Sequence, residues 1–177
     1  VLSQSAFGPT EPVKGGTLNA GVHIPLPTLD WQPTVGHPLP HVMGHVFEGL
    51  TGQGKVLNAE PELAETIEAA ADGMTWTFKL RSGVKFHNGK SMEAADVIAS
   101  IERWRKVGPK GSGLESLASL EAPSADTVVM KFKSAMGRYL LLLLGSDENK
   151  AIIMPKEIAD ASTTPGKLTE VVGTGPY

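Results

Sequence analysis

The clearest signal along the chain is a strict alternation from Met74 to Leu80, where Met74, Trp76, Phe78 and Leu80 are apolar and Thr75, Thr77 and Lys79 are polar. Successive side chains of a strand point to opposite faces, so this pattern predicts a half-buried β-strand. Asp72 and Gly73 supply turn residues just before it, and Leu63 to Glu68 supplies a partner, which together predict a hairpin. Thr17 to Ala20, Val84 to Phe86 and Val128 to Phe132 read as further short strands.

From Ser91 the period changes. Val97, Ile98, Ile101 and Trp104 fall at helical spacing, leaving Glu93, Asp96, Glu102, Arg103 and Arg105 for the solvent side, so an amphipathic helix is predicted from Ser91 to Trp104. Val42, Val46, Phe47 and Leu50 predict a short helix starting at His41, ended by the glycines between Gly49 and Gly54. Ala135 to Leu144 predicts another, mostly buried helix, whose five leucines read as core rather than as a partner surface. Between the first strand and the first helix, the prolines from Pro25 to Pro40 impose a long, stiff loop. Interspersed strands and helices without an internal repeat give an α/β class, locally α+β.

Composition narrows the functions. Sixteen basic and 19 acidic residues leave a net charge of −3 over 177 residues, which gives no electrostatic reason to expect a nucleic acid or an anionic membrane as partner. The absence of cysteine excludes disulfides, zinc–thiolate sites and thiol catalysis. The longest apolar run, Tyr139 to Leu144, is far short of the ~18 residues of a membrane-spanning helix.

Few residues suggest chemistry. Gly83 to Ser91 resembles a phosphate-binding loop but places five residues between Gly83 and Gly89 where that motif needs four. His41 and His45 have the i, i+4 spacing that can share a metal, yet no cysteine or carboxylate cluster lies near them in sequence, and ligand contact or solvated loop fits them better. No metal or cofactor is expected. Glu48, Glu60, Glu62 and Glu65 read as surface, and Arg138 and Lys150 as ordinary flanking charges. No nucleophile elbow and no His-Glu-x-x-His motif occurs, so a hydrolytic enzyme, the rival class, has no catalytic set.

Taken in order, several segments carry a resemblance. They are Gly15-Gly16-Thr17-Leu18, Val46-Phe47-Glu48-Gly49-Leu50, Pro61-Glu62-Leu63-Ala64, the stretch from Asp72 to Gly89, Ala95-Asp96-Val97, Ser100-Ile101-Glu102-Arg103, Ile153-Met154-Pro155-Lys156 and Gly173-Thr174-Gly175-Pro176-Tyr177. The series resembles family 5 extracellular solute-binding proteins, the peptide/nickel-type binding proteins of ABC importers. Two departures are local: Trp31 and Gln32 separate Asp30 from Pro33, and Glu93 stands where a hydroxyl residue commonly caps the helix.

The resemblance implies a type II periplasmic-binding-protein-like fold, two lobes closing on a ligand, with the chain an N-terminal fragment several times shorter than the family's members. It implies that residues 1–49 open lobe I, that 50–168 form an inserted α+β subdomain, and that 169–177 begin the return into lobe I. It further implies a periplasmic substrate-binding component that captures a di- or oligopeptide and passes it to ABC permease subunits, touching the membrane only through them. A nickel chelate, an opine or another non-peptide solute is the alternative ligand. Carried over onto the loops after the first strand and on the cleft side, the expected ligand contacts are His23, His37, Pro40, His41, Gly113, Leu114 and Asp147.

Overall fold

The computed structural model describes residues 15–17, 19, 21, 25–36, 38–54 and 58–177; the strand predicted over Thr17 to Ala20, and His23 and His37, lie partly or wholly outside them. Helix α1 spans Leu39–Met43. Strands β1 (Thr51–Gln53) and β2 (Ala59–Pro61) pair antiparallel. Strands β3 (Ala64–Ala69) and β4 (Thr75–Leu80) form the predicted hairpin. Helix α2 (Ala94–Val107) and a 3-10 turn (Gly111–Leu114) follow, then β5 (Leu117–Ser124), β6 (Thr127–Phe132), α3 (Tyr139–Leu144) and α4 (Lys156–Ala161).

The larger sheet is fully antiparallel with the order β3-β4-β6-β5. Its central pair explains its stability. Trp76 opposes Met130 and Phe78 opposes Val128, and all four side chains are buried on one face. The turn before β4 uses Asp72, whose Oδ1 accepts the N–H of Met74 at 2.8 Å, and Gly73, whose φ of 67° suits a residue without a Cβ. The Trp76 indole donates to the Gly73 carbonyl at 3.2 Å, so this large ring is buried with its polar atom satisfied.

Helix α2 packs against β5, β6 and α4 with Val97, Ile101 and Trp104 buried. Its start lies at Ala94, three residues after the predicted one, where Asp96 accepts the N–H of Glu93 at 2.9 Å. Asp96 and Arg103 do not face water as the periodicity suggested; they are 1% and 5% exposed. Asp96 accepts from the Lys90 ammonium and from the Lys156 N–H, tying α2 to α4. Arg103 reaches across to the proline-rich loop.

Other expectations are corrected. The first helix starts at Leu39 and ends at Met43, so Phe47 and Leu50 are buried from irregular backbone and not from a helix face. The glycines between Gly49 and Gly54 end no helix but lie in and around β1, which pairs with β2. Val84 to Phe86 forms only an isolated bridge, Lys85 to Ser91, rather than a sheet strand. Helix α3 begins at Tyr139 because Gly137, at φ 55°, breaks the run from Ala135. Strand β5, an edge with two register shifts, and the six-residue α4 carry no strong period and were not anticipated.

Candidate functional site

The proline-rich loop is fixed by charge. The Arg103 guanidinium donates to both carboxylate oxygens of Asp30, at 3.0 and 2.5 Å, to Gln32 Oε1 at 2.7 Å and to the Ser162 carbonyl at 2.7 Å. Gln32 in turn donates to the carbonyls of Ser100 and Ile152, and its own carbonyl accepts from Asn149 Nδ2 at 2.6 Å. The inserted Trp31-Gln32 pair, which separates Asp30 from Pro33, therefore lies in an anchored segment. Both neighbours of Trp31 are held, and its ring is 2% exposed.

Beside this loop lies a cavity of about 710 Å³. Its walls come from the loop (Trp31, Val35, Gly36), from α1 and the residue after it (Pro40, His41, Gly44), from β1 (Gly52, Gln53), and from Glu62, Asp147, Glu148 and Lys150. A Cβ at Gly52 would stand 3.3 Å from Glu62 Oε1, so a small residue there keeps the wall open above that carboxylate.

Glu62 and Lys150 form a largely buried ion pair, with Lys150 Nζ 2.6 Å from Oε2 and 2.8 Å from Oε1. Oε2 also accepts the Gly49 N–H at 2.6 Å. Burial pushes the Glu62 carboxyl above its ordinary range, and the Lys150 charge and the Gly49 N–H draw it back only part of the way; nearby Glu48 adds to the upward push. Neither residue is the surface charge that its sequence surroundings suggested. Their partnership spans 88 positions, and no local period marks it. Further out on the wall, Glu148 pairs with Lys110 at 2.9 Å, while Asp147 is exposed.

Of the expected contact residues, Pro40, His41 and Asp147 are brought together on the cavity wall. Gly113 and Leu114 are not. Leu114 is fully buried in the core, and a Cβ at Gly113 would come within 2.7 Å of the Leu143 side chain, so the 3-10 turn that carries them packs inward on α3. His23 and His37 lie outside the described residues. His41 and His45 are both exposed, and the His45 ring meets Tyr177 edge-on at a centroid distance of 6.0 Å. Among the described residues no three His, Cys, Asp or Glu side chains converge as a metal set. Trp31, Glu62 and Lys150 are among the wall residues absent from the expected contacts; for Trp31 the departure at Trp31-Gln32 was an available signal.

Comparison with known proteins agrees with this architecture. The family model described as "Bacterial extracellular solute-binding proteins, family 5 Middle" matches residues 58–177. The probable peptide ABC transporter periplasmic-binding protein y4tO of Sinorhizobium fredii is 29% identical over 177 residues, 99% of this chain and 31% of that protein. The chain thus spans less than a third of that curated relative. Among solved structures, the binding protein AgaA of A. tumefaciens R10 with agropinic acid superposes with a TM-score of 0.69 at 30% identity, over 84% of this chain and 30% of AgaA. The oligopeptide-binding protein AppA of Bacillus subtilis with a nonapeptide gives a TM-score of 0.68 at 26% identity, over 84% of this chain and 31% of AppA. Among the described residues no helix is long and apolar enough to cross a membrane.

Proposed function

The chain belongs to the bacterial extracellular solute-binding proteins of family 5, and on that premise we propose that it is part of the substrate-binding component of an ABC importer, capturing a di- or oligopeptide outside the cytoplasm for delivery to permease subunits. The observation that carries this reading is the cavity of about 710 Å³, whose size lies in the range of small-ligand sites. Its wall is held rigid by the Arg103–Asp30 and Lys150–Glu62 pairs, so little ordering would have to accompany binding. The name of y4tO and the peptide held by AppA support a peptide as ligand. The opine held by AgaA supports the alternative of a non-peptide solute.

In this reading Pro40, His41 and Asp147 touch the ligand, residues 1–49 and 169–177 belong to lobe I, and 50–168 form its inserted subdomain. Binding in this reading is reversible with no covalent step, and among the described residues no nucleophile and base are paired on the cavity wall. The test is to purify the full-length protein without denaturation and identify what it carries by mass spectrometry. A retained peptide supports the reading. An opine or a metal chelate moves the assignment to the alternative, and turnover of added peptide to cleaved products overturns it.

A further inference from the structure

Strand β1 leaves one edge open beside the cavity. In its antiparallel pairing with β2 the Gly54 N–H donates to the Asn58 carbonyl at 2.6 Å and the Glu62 N–H to the Leu50 carbonyl at 3.0 Å, while Thr51 stands opposite Pro61 and Gln53 opposite Ala59. Backbone groups in such a pair alternate in direction, so Gly52 bonds inward to Glu60, and the N–H and C=O of Thr51 and Gln53 point away from β2. At Thr51 this outer edge is covered, because a Cβ on Gly145 would stand 2.9 Å from the Thr51 carbonyl oxygen. At Gln53 nothing among the described residues pairs with either backbone group.

Gln53 also stands between two cavities. With Gly52 it borders both the cavity of about 710 Å³ and a smaller one of about 280 Å³ that Ala59, Leu141 and Leu142 line further. The smaller cavity lies on the face of β1 that carries Thr51 and Gln53, for Thr51 Oγ1 donates to the Leu141 carbonyl there at 3.0 Å. The larger one meets the other face, where Gly52 looks onto Glu62. Leu142 in the smaller cavity is 44% exposed, a large apolar side chain that the core does not take up.

We propose that the open edge of β1 at Gln53 docks an extended peptide, which adds as an antiparallel strand and sends alternate side chains into the two cavities. One peptide residue exchanges both backbone hydrogen bonds with Gln53. Its side chain then lies on the Gln53 face, in the smaller cavity, and its neighbours' side chains turn to the face of the larger one. Since Ala59, Leu141 and Leu142 line the smaller cavity, the residue paired with Gln53 is an apolar one. The inference rests on the peptide-binding reading above and deepens it to a strand-like pose with one apolar anchor.

Calorimetry on the full-length protein tests it with three probes: Ala-Leu-Ala, Ala-Ser-Ala, and Ala-Leu-Ala methylated on the leucine nitrogen. The leucine peptide should bind about tenfold more tightly than the serine peptide. Leu142→Ser should shrink that advantage to within about threefold. Methylation removes the peptide N–H offered to the Gln53 carbonyl and should weaken binding about fivefold. Gln53→Pro removes the opposite donor and should weaken Ala-Leu-Ala to a similar degree; the β1–β2 bonds do not use that N–H, and proline is accommodated at a strand edge. The methylated probe acts on the unaltered protein, so it decides whatever Gln53→Pro does to folding. A leucine advantage that is missing or survives Leu142→Ser, or methylation without effect, overturns the docking edge while leaving peptide capture standing. Failure of all three peptides to bind, in a protein that retains some other solute, overturns both.

Discussion

The β4–β6 centre of the sheet and the loop wall around the cavity are built on opposite principles. In the sheet, Trp76, Phe78, Val128 and Met130 face each other across neighbouring strands, and burial of apolar surface does the stabilising. Around the cavity the decisive contacts are ionic and join residues far apart in sequence: Asp30 to Arg103 and Glu62 to Lys150. Apolar packing degrades gradually when one side chain is trimmed. A buried ion pair fails abruptly, because removing one partner strands the other charge in a poor solvent. The buried Arg103–Asp30 pair behind the cavity wall is therefore especially sensitive to single substitutions.

That contrast is sharpest at Arg103. Replacing it by Met removes the partner of Asp30, of Gln32 Oε1 and of the Ser162 carbonyl at once, and chemical denaturation should show a loss of about 3–5 kcal/mol. In the sheet, Trp76→Ala should cost about 3 kcal/mol by the same assay, as expected for a large side chain deleted from a core. If the order of these two were reversed, apolar burial and not charge would dominate the wall as well.

Lys150→Met should cost less, about 1–3 kcal/mol at neutral pH, because Glu62 retains the Gly49 N–H and some contact with solvent. The pH dependence gives this prediction its sign. The Glu62 carboxyl is already raised in the folded protein, and loss of the Lys150 charge raises it further. At acid pH the protonated side chain is tolerated in its buried place; as pH rises through the raised pKa, the uncompensated charge appears and stability falls. The deficit of the variant relative to the parent should therefore be small below the ordinary carboxylate range and should grow above it, a trend that melting curves across pH would display. The smallest effect is expected at the sheet edge, where Lys131→Ala breaks an exposed pair with Glu121 and should leave the melting midpoint unchanged.

The same contrast decides what could be read from the sequence. The β3–β4 hairpin was legible because its alternation and its Asp72-Gly73 turn are local facts, and α2 was legible because Val97, Ile101 and Trp104 repeat at helical spacing. Arg103 and Asp96 were misread as solvent-facing since a period says which face a residue occupies and not whether a distant loop covers it. Strand β5 escaped notice because its bulged edge position leaves most of its residues exposed and without alternation. At the site, Pro40, His41 and Asp147, expected from the family's loops, line the cavity, whereas Leu114 is buried in the core and Gly113 is half-buried against Leu143. Glu62, Lys150 and Trp31 could not be seen, because each owes its place to a partner or an anchor that only the tertiary fold supplies.

The claim that matters most is that the cavity beside Trp31 holds ligand, and blocking it is the direct test. In β1, Gly52 borders the cavity, and a large side chain placed there would project into the space above Glu62. Calorimetric titration of the full-length protein and of its Gly52→Phe variant with the same peptide, both first shown to melt cooperatively at similar temperatures, compares an open with a filled cavity. The account predicts that the variant loses at least about tenfold in affinity, equivalent to about 1.4 kcal/mol. Equal affinities for the two proteins would place the ligand elsewhere and contradict it.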